Sequence, residues 1–266
     1  TSSIKMKAFI FPGQGSQFSG MGYDLYKKSE KAKKLFELAN KIIGFDICKI
    51  MFEGTEEELQ QTNVTQPAIF IHSVILSHCL SYTPNVVAGH SLGEFSALVS
   101  AKSISFEDGL RLVIKRAEAM QNACKKHDST MAAIIGLNAT IIEKVCQQEL
   151  SIVVPANYNT PHQIVISGER KTLEKTCQKL IENGAKKTIM LPVGGAFHSP
   201  IMESAKKTLA DAIENTNFQD PIYSIYQNVC AKSVTKKEIL KENLISQLTA
   251  PVKWYQTIEK MIQEGV

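Results

Sequence analysis

Asn85-Val86-Val87-Ala88-Gly89-His90-Ser91-Leu92-Gly93-Glu94 carries an apolar run into a serine flanked by glycines. Asn85 to Ala88 reads as a short buried strand, and Glu94 to Ala101 as the helix that follows. A serine in so sharp a turn has a strained backbone, and its neighbours two places away pass too close for a Cβ. Gly89 and Gly93 occupy both of those places. The Ser91 hydroxyl then stands exposed above the strand ends, beside helix N–H groups that can stabilise an anion, that of Leu92 among them. So short a pattern also arises by chance in loops. The strand before it and the helix after it favour a nucleophile, and with it acyl transfer.

The rest of the composition bounds the reading. A chain of 266 residues suits one large domain, or one domain carrying a smaller insertion. With 44% hydrophobic and 21% charged residues it has the make-up of an ordinary globular protein. No apolar run approaches the roughly 20 residues that span a bilayer; Ala68 to Leu76 and Met131 to Leu137 are both too short. No signal peptide is evident, and Thr1-Ser2-Ser3-Ile4-Lys5-Met6 reads as retaining residues left by expression. The expected setting is the cytoplasm, with no membrane partner. Six dispersed cysteines without a Cys-x-x-Cys pair fit a reducing compartment and argue against zinc. No metal is expected. The charge of +4 is mild, and lysine pairs such as Lys27-Lys28 and Lys206-Lys207 lack interleaved aromatics. They read as solvated helix faces, which leaves nucleic acid binding little support; an acidic partner stays open.

Lys7 to Phe11 is a first buried strand, ending at Pro12-Gly13. Helices are expected from about Met21 to Ile43 with a break, from Pro67 to Leu80, and from Ser105 to Cys124, where Ser105 and Asp108 resemble a capping pair. The order then changes. Met131–Gly136 (strand), Thr140–Glu149 (helix), Ile152–Pro155 and Gln163–Ser167 (strands), Lys171–Asn183 (helix) and Lys187–Leu191 (strand) spell βαββαβ. That is the ferredoxin-like pattern. It implies a small subdomain over 128–192, inserted in a large subdomain formed by 1–127 and 193–266. Helices near Ile201–Asn215, Lys237–Gln247 and Trp254–Glu264 complete the large part. There is no internal repeat.

A serine hydroxyl needs a base. His72 and His78 lie on an apolar helix, His90 sits inside the elbow pointing away from Ser91, His127 is among lysines and His162 is in a loop. His198 ends the small-residue loop Gly194-Gly195-Ala196-Phe197 and precedes Ser199-Pro200 at a helix start, which brings it to a cleft. It is the candidate base, although a lone histidine is more often structural. Gly13-Gln14-Gly15-Ser16-Gln17 fails as a dinucleotide fingerprint, since Phe18 stands where a third glycine belongs. It can instead aim a backbone N–H at an oxyanion together with Leu92, or be a tight turn without a ligand. Arg116 lies in the largely apolar stretch Leu112-Val113-Ile114-Lys115-Arg116-Ala117. A buried arginine wants a carboxylate, either an internal Asp or Glu or one on the substrate.

With these residues in view, the sequence resembles the malonyl-CoA:acyl carrier protein transacylases from Phe9 to about Trp254. The motifs are Phe11-Pro12-Gly13-Gln14-Gly15-Ser16-Gln17, Thr65-Gln66-Pro67-Ala68, Gly89-His90-Ser91-Leu92-Gly93-Glu94 and Gly195-Ala196-Phe197-His198-Ser199. Asn157-Tyr158-Asn159-Thr160-Pro161, Ile166-Ser167-Gly168 and Gln247-Leu248-Thr249-Ala250-Pro251-Val252 also match. The resemblance implies an α/β fold with an α/β-hydrolase-like large subdomain and a ferredoxin-like small one. It implies Ser91 as nucleophile, His198 as base and Arg116 as the clamp on the malonyl carboxylate. The N–H groups of Gln14 and Leu92 would form the oxyanion hole, and the main-chain carbonyl of Gln247 would orient His198. That leaves a dyad with no acidic third member. Phe197 would narrow the space beside the malonyl α-carbon, and Asn159 would line the substrate pocket.

The implied partners are malonyl-CoA and acyl carrier protein; coenzyme A and phosphopantetheine enter as substrates, no cofactor is expected, and the protein is expected to be a monomer. The sequence departs from the family at Ala117, Lys102 and Ser129, where glycine is usual, and it stops at Gly265-Val266, where relatives continue through a further strand and helix. A serine hydrolase such as a thioesterase would use the same elbow without needing Arg116, and an acyl-binding protein with a vestigial serine would form no covalent adduct.

Overall fold

The computed structural model describes residues 5–266, so residues 1–4 of the stretch Thr1–Met6 read as an expression remnant lie outside the described residues. The chain runs β1 (Ala8–Phe11), α1 (Tyr23–Lys28), α2 (Glu30–Ile43), α3 (Ile47–Glu53), α4 (Glu56–Gln60), α5 (Thr62–Cys79), β2 (Val86–Gly89), α6 (Gly93–Ser100) and α7 (Phe106–Cys124). It continues through β3 (Ser129–Ile135), α8 (Ala139–Gln147), β4 (Val153–Thr160), β5 (Gln163–Glu169), α9 (Arg170–Glu182) and β6 (Lys187–Met190). The last elements are α10 (Glu203–Glu214), β7 (Ser224–Gln227), β8 (Lys232–Val234), α11 (Lys237–Ser246) and α12 (Trp254–Gln263). Short 3-10 turns occupy Pro200–Met202 and Gln247–Thr249.

These form a mixed α/β structure with two sheets. In the first, β1, β2 and β7 are parallel and β8 closes one edge antiparallel, in the order β1-β2-β7-β8. In the second, the order is β4-β5-β3-β6 and every pairing is antiparallel. A backbone bridge ties the sheets' territories together: Val252 donates to Ala156 at 2.8 Å, and Tyr158 donates back to Val252 at 2.8 Å.

Local chemistry explains the elements that carry the site. Ser105 caps α7 by accepting from the Asp108 N–H at 3.1 Å; the reciprocal half of the capping box is not made. Along α7 the positions Gly109, Val113, Arg116, Met120 and Ala123 are all buried, and their three- and four-residue steps form a single helix stripe. Arg116 is inside because helix register puts it there. Helix α6 is buried all round from Gly93 to Val99, so it is an internal helix and not a surface one.

The sequence reading missed α3, α4, β7 and β8, and placed the start of α5 at Pro67. Proline is favoured in a first helical turn, which made Pro67 look like a beginning. It is in fact internal to α5, where burial of Val64 through Ile71 offsets a cost of about 3 kcal/mol. The β7 residues Ser-Ile-Tyr-Gln are too few and too polar to show strand periodicity.

The glycines of the turn are required by close approach. A Cβ on Gly89 would overlap the carbonyl group of Gly93, and one on Gly93 would overlap the Phe11 carbonyl at the end of β1. Gly93→Ala should therefore lower stability by about 1–3 kcal/mol, seen as a reduced urea midpoint. A midpoint equal to that of the wild type would mean that β1 and α6 are not in this contact.

Candidate active site

Ser91 sits at φ 53, in the left-handed region, between β2 and α6. Holding a non-glycine residue there costs on the order of 1–3 kcal/mol, so the surroundings must over-determine it. They do. The Ser91 N–H donates to Asn228 Oδ1 at 2.7 Å, and the Ser91 carbonyl accepts from Gln247 Nε2 at 3.0 Å. Asn228 is itself fixed, its Nδ2 donating to the Gly89 carbonyl at 2.7 Å.

His198 approaches from the other side on the loop after β6, also at positive φ (58). Its loop is pinned by the second sheet. Ser129 of β3 accepts from the Ala196 N–H at 3.0 Å, and Ser167 of β5 donates to the Phe197 carbonyl at 2.6 Å. Ser129, where the resemblance led glycine to be expected, supplies a hydroxyl that helps to seat this loop. Lys102, another of those positions, adopts φ 57, a conformation that glycine takes without strain. Ala117 is buried in α7.

The two side chains meet. Ser91 Oγ lies 2.8 Å from His198 Nε2, and His198 Nδ1 lies 2.9 Å from the Gln247 carbonyl oxygen. A carbonyl only accepts, so Nδ1 carries the proton and Nε2 is left as the acceptor for the serine hydroxyl. Burial, and then the charge of Arg116, push the His198 imidazole down from 6.5 to about 3, against the opposing pull of the Gln247 carbonyl. The ring is neutral at ordinary pH.

Arg116 is only 1% exposed. Its Nη1 donates to Gln66 Oε1 at 2.7 Å, and its Nη2 donates to Gln247 Oε1 at 2.9 Å and to Ser91 Oγ at 3.0 Å. Its Nε has no partner among the described residues. The internal Asp or Glu that could have faced it is not in direct contact. Two amides and the serine hydroxyl take that position, and Phe95 lies 5.7 Å below the guanidinium carbon. Burial draws Arg116 down to about 10, still a cation at neutral pH.

A carboxylate does stand one step back. Glu94, wholly buried on the first turn of α6, accepts from Gln247 Nε2 and, at 3.2 Å, from the Asn228 N–H. Burial raises it to about 8, against the pull of these donors and of Arg116. Gln66, Asn228 and Glu94 were given no role by sequence reasoning. Their signal was a polar residue inside an otherwise apolar helix at positions 66 and 94; Asn228, just after the unseen β7, offered none.

Ser91, Arg116, His198, Gln14, Leu92 and Phe197 line one cavity of about 90 Å³. The Leu92 N–H has no hydrogen-bond partner among the described residues. Gln247 lies behind this cavity and reaches it through Arg116 and His198. Asn159 lies in an adjoining cavity of about 590 Å³ that shares Gln14, His90, Asn157, Val165 and Leu191 with the first. There its Oδ1 accepts from His90 Nε2 at 2.7 Å, beside Trp254. Another groove of about 590 Å³, along β1 and α5, includes none of Ser91, Arg116 and His198. No helix among the described residues is long and apolar enough to cross a membrane.

Comparison with known proteins places the chain in a family. Residues 8–266 match the acyl transferase domain family. The malonyl CoA-acyl carrier protein transacylase of Bacillus subtilis (strain 168) is 42% identical over 265 residues, covering 97% of this chain and 84% of the relative. The structure of the malonyl CoA-acyl carrier protein transacylase of Coxiella burnetii superposes with a TM-score of 0.94 at 35% identity, covering 99% of this chain and 86% of that one. A malonyl-transacylase in complex with its type II PKS acyl-carrier protein gives 0.94 at 36% identity, covering 97% and 86%. With this identity spread over nearly its whole length, the chain belongs to the malonyl-CoA:acyl carrier protein transacylase family.

Proposed function

We propose that this protein moves a malonyl group from coenzyme A to the phosphopantetheine thiol of acyl carrier protein through a malonyl ester on Ser91, supplying fatty acid synthesis. The observation that carries the reading is one hydroxyl held by a neutral imidazole at 2.8 Å and a buried guanidinium at 3.0 Å. The first is a base for the serine proton; the second is a cation waiting for an anionic acyl group. A hydrolase acting on uncharged esters has no use for it.

Ser91 Oγ attacks the thioester carbonyl as His198 Nε2 takes its proton. The N–H groups of Leu92 and Gln14 face the oxyanion of the tetrahedral intermediate. The intermediate collapses, the C–S bond breaks, and the departing coenzyme A sulfur receives the proton from His198. In the return half, the phosphopantetheine thiol gives its proton to His198 and attacks the ester, and Ser91 leaves with that proton. Arg116 holds the malonyl carboxylate through both halves. The Gln247 carbonyl fixes the imidazole, so the pair needs no aspartate. Phe197 limits the space beside the α-carbon, and the outer cavity with Asn159 accepts the pantetheine arm.

The strand order of the second sheet, with α8 and α9 crossing it, supports a ferredoxin-like small subdomain over 128–192 inserted in an α/β-hydrolase-like large one. The reading includes no cofactor and no metal, a monomer, and a cytoplasmic setting.

Mixing the protein with malonyl-CoA should add one malonyl group on Ser91 by intact mass, none on Ser91→Ala, and carrier protein should discharge it. Free malonate in place of malonyl-carrier would identify a hydrolase instead. Arg116→Ala should lose malonyl transfer by the equivalent of about 2–5 kcal/mol while acetyl transfer is spared or improved. An equal loss for both acyl groups rules out the clamp. The low His198 value also has a sign. The free enzyme keeps its base unprotonated below 6.5, so kcat/KM should stay flat from neutral pH to well under that value. An acid limb at 6.5 would show that Arg116 and burial do not act on His198 in this way.

A further inference from the structure

The side-chain amide of Gln247 stands between two groups of opposite character. On one side is the Arg116 guanidinium, which can only donate; on the other is Glu94, whose two oxygens each face an N–H donor, Gln247 Nε2 and the Asn228 N–H, so that although burial raises it to about 8 its contacts fit the ionised form, which can only accept. An amide has one accepting end and one donating end. Only one of its two orientations satisfies both neighbours, with Oε1 toward Arg116 Nη2 at 2.9 Å and Nε2 toward Glu94 Oε1. The second Nε2 proton goes to the Ser91 carbonyl at 3.0 Å. The other Glu94 oxygen is held by the Asn228 N–H, and Asn228 in turn holds the Ser91 N–H. The Glu94 side chain bonds to Gln247 and Asn228 and not to Ser91, and it does not line the cavity that receives the acyl group.

We propose that Glu94 is the positioning residue that fixes the orientation of the Gln247 amide and thereby keeps Arg116 aimed at the acyl carboxylate. This rests on the malonyl-transfer reading above and deepens it: selectivity for a carboxylated acyl group depends on a carboxylate that never meets the substrate. The opposite amide orientation turns Nε2 against Nη2, donor against donor, and drives the guanidinium off its seat. Glu94→Gln sets an NH2 group against one of the two donors that face residue 94, Gln247 Nε2 or the Asn228 N–H, without changing volume. The new amide can accept from the Asn228 N–H or from Gln247 Nε2, but not from both.

The test measures Ser91 acylation by malonyl-CoA and by acetyl-CoA, side by side, on the wild type, on Glu94→Gln and on Gln247→Met. The methionine variant removes the amide while keeping the main-chain carbonyl that faces His198. Losing a hydrogen bond to a charged group corresponds to about 10-fold or more, so the malonyl-to-acetyl ratio of kcat/KM should fall by that factor in both variants. The loss should sit mainly in KM for malonyl-CoA. A ratio unchanged from wild type, including one where both rates drop together, overturns the proposal and leaves Glu94 as packing. If Glu94→Gln does not fold, Glu94→Asp, which keeps the acid but shortens its reach to Gln247, is read in the same way. A wild type that takes up no malonyl group tells against the proposed function itself, whereas an active wild type with indifferent variants tells only against Glu94.

Discussion

The site depends on keeping one serine in a conformation that its own backbone disfavours. Ser91 stays at φ 53 because both of its peptide groups are tied to side chains from remote parts of the chain, Asn228 and Gln247. Each tie contributes about 1 kcal/mol, enough together to offset the strain of the turn. Those anchors lie after β7 and after α11, so the nucleophile is held correctly only once the distant end of the chain has packed. Gly89 and Gly93 make this packing possible by letting β1, β2 and α6 meet backbone to backbone. The turn is therefore a product of the whole first sheet and not a local motif that happens to be glycine-rich.

The base is delivered by the second sheet. Ser129 on β3 and Ser167 on β5 hold the loop that ends in His198, so the 2.8 Å contact with Ser91 fixes the two sheets relative to each other across the cleft. Both pins are small hydroxyls on buried strands, where an unpaired hydroxyl would be costly. Their burial gives the loop its register. The Val252 bridge to β4 acts in the same direction from the far side, and it brings Trp254 beside His90.

Much of this was legible in sequence, and the parts that were not share a cause. The elbow could be read because its geometry demands glycine at two fixed offsets, a demand that leaves a written trace. The βαββαβ order could be read because α8 and α9 are amphipathic and β5 is apolar. Helices α3 and α4 and strands β7 and β8 left no such trace, being shorter than the periods by which elements are recognised. At the site, Arg116 stood out as a cation on an apolar stripe and His198 as a histidine on a small-residue loop. Asn228 did not, lying just after the unseen β7, and Gln66, although a polar residue within an apolar helix, gave no hint of which group it would face. Glu94 is the instructive case. It was in plain sight within the elbow motif, but its meaning lies in contact with residue 247, which spacing along the chain cannot reveal.

The electrostatics of the cavity turn on how Arg116 is paired. A buried guanidinium beside His198 weakens that imidazole as a base, and the same cation beside Ser91 Oγ stabilises the serine oxyanion. These effects oppose each other. Partial compensation comes through neutral amides and from Glu94 at one remove, so no direct ion pair ties up the cation. That arrangement leaves Arg116 with an unmet demand for a carboxylate, which a direct Asp or Glu partner would have extinguished. On the proposed reading, an acyl group that brings that carboxylate would offset the Arg116 charge, the second cause after burial of the low His198 value, and the base would strengthen in part as the substrate seats. An acyl group without the charge would leave the base weakened. On this argument selectivity for a diacid thioester and competence of the serine–histidine pair are two consequences of one choice, the decision to bury an arginine among amides instead of acids.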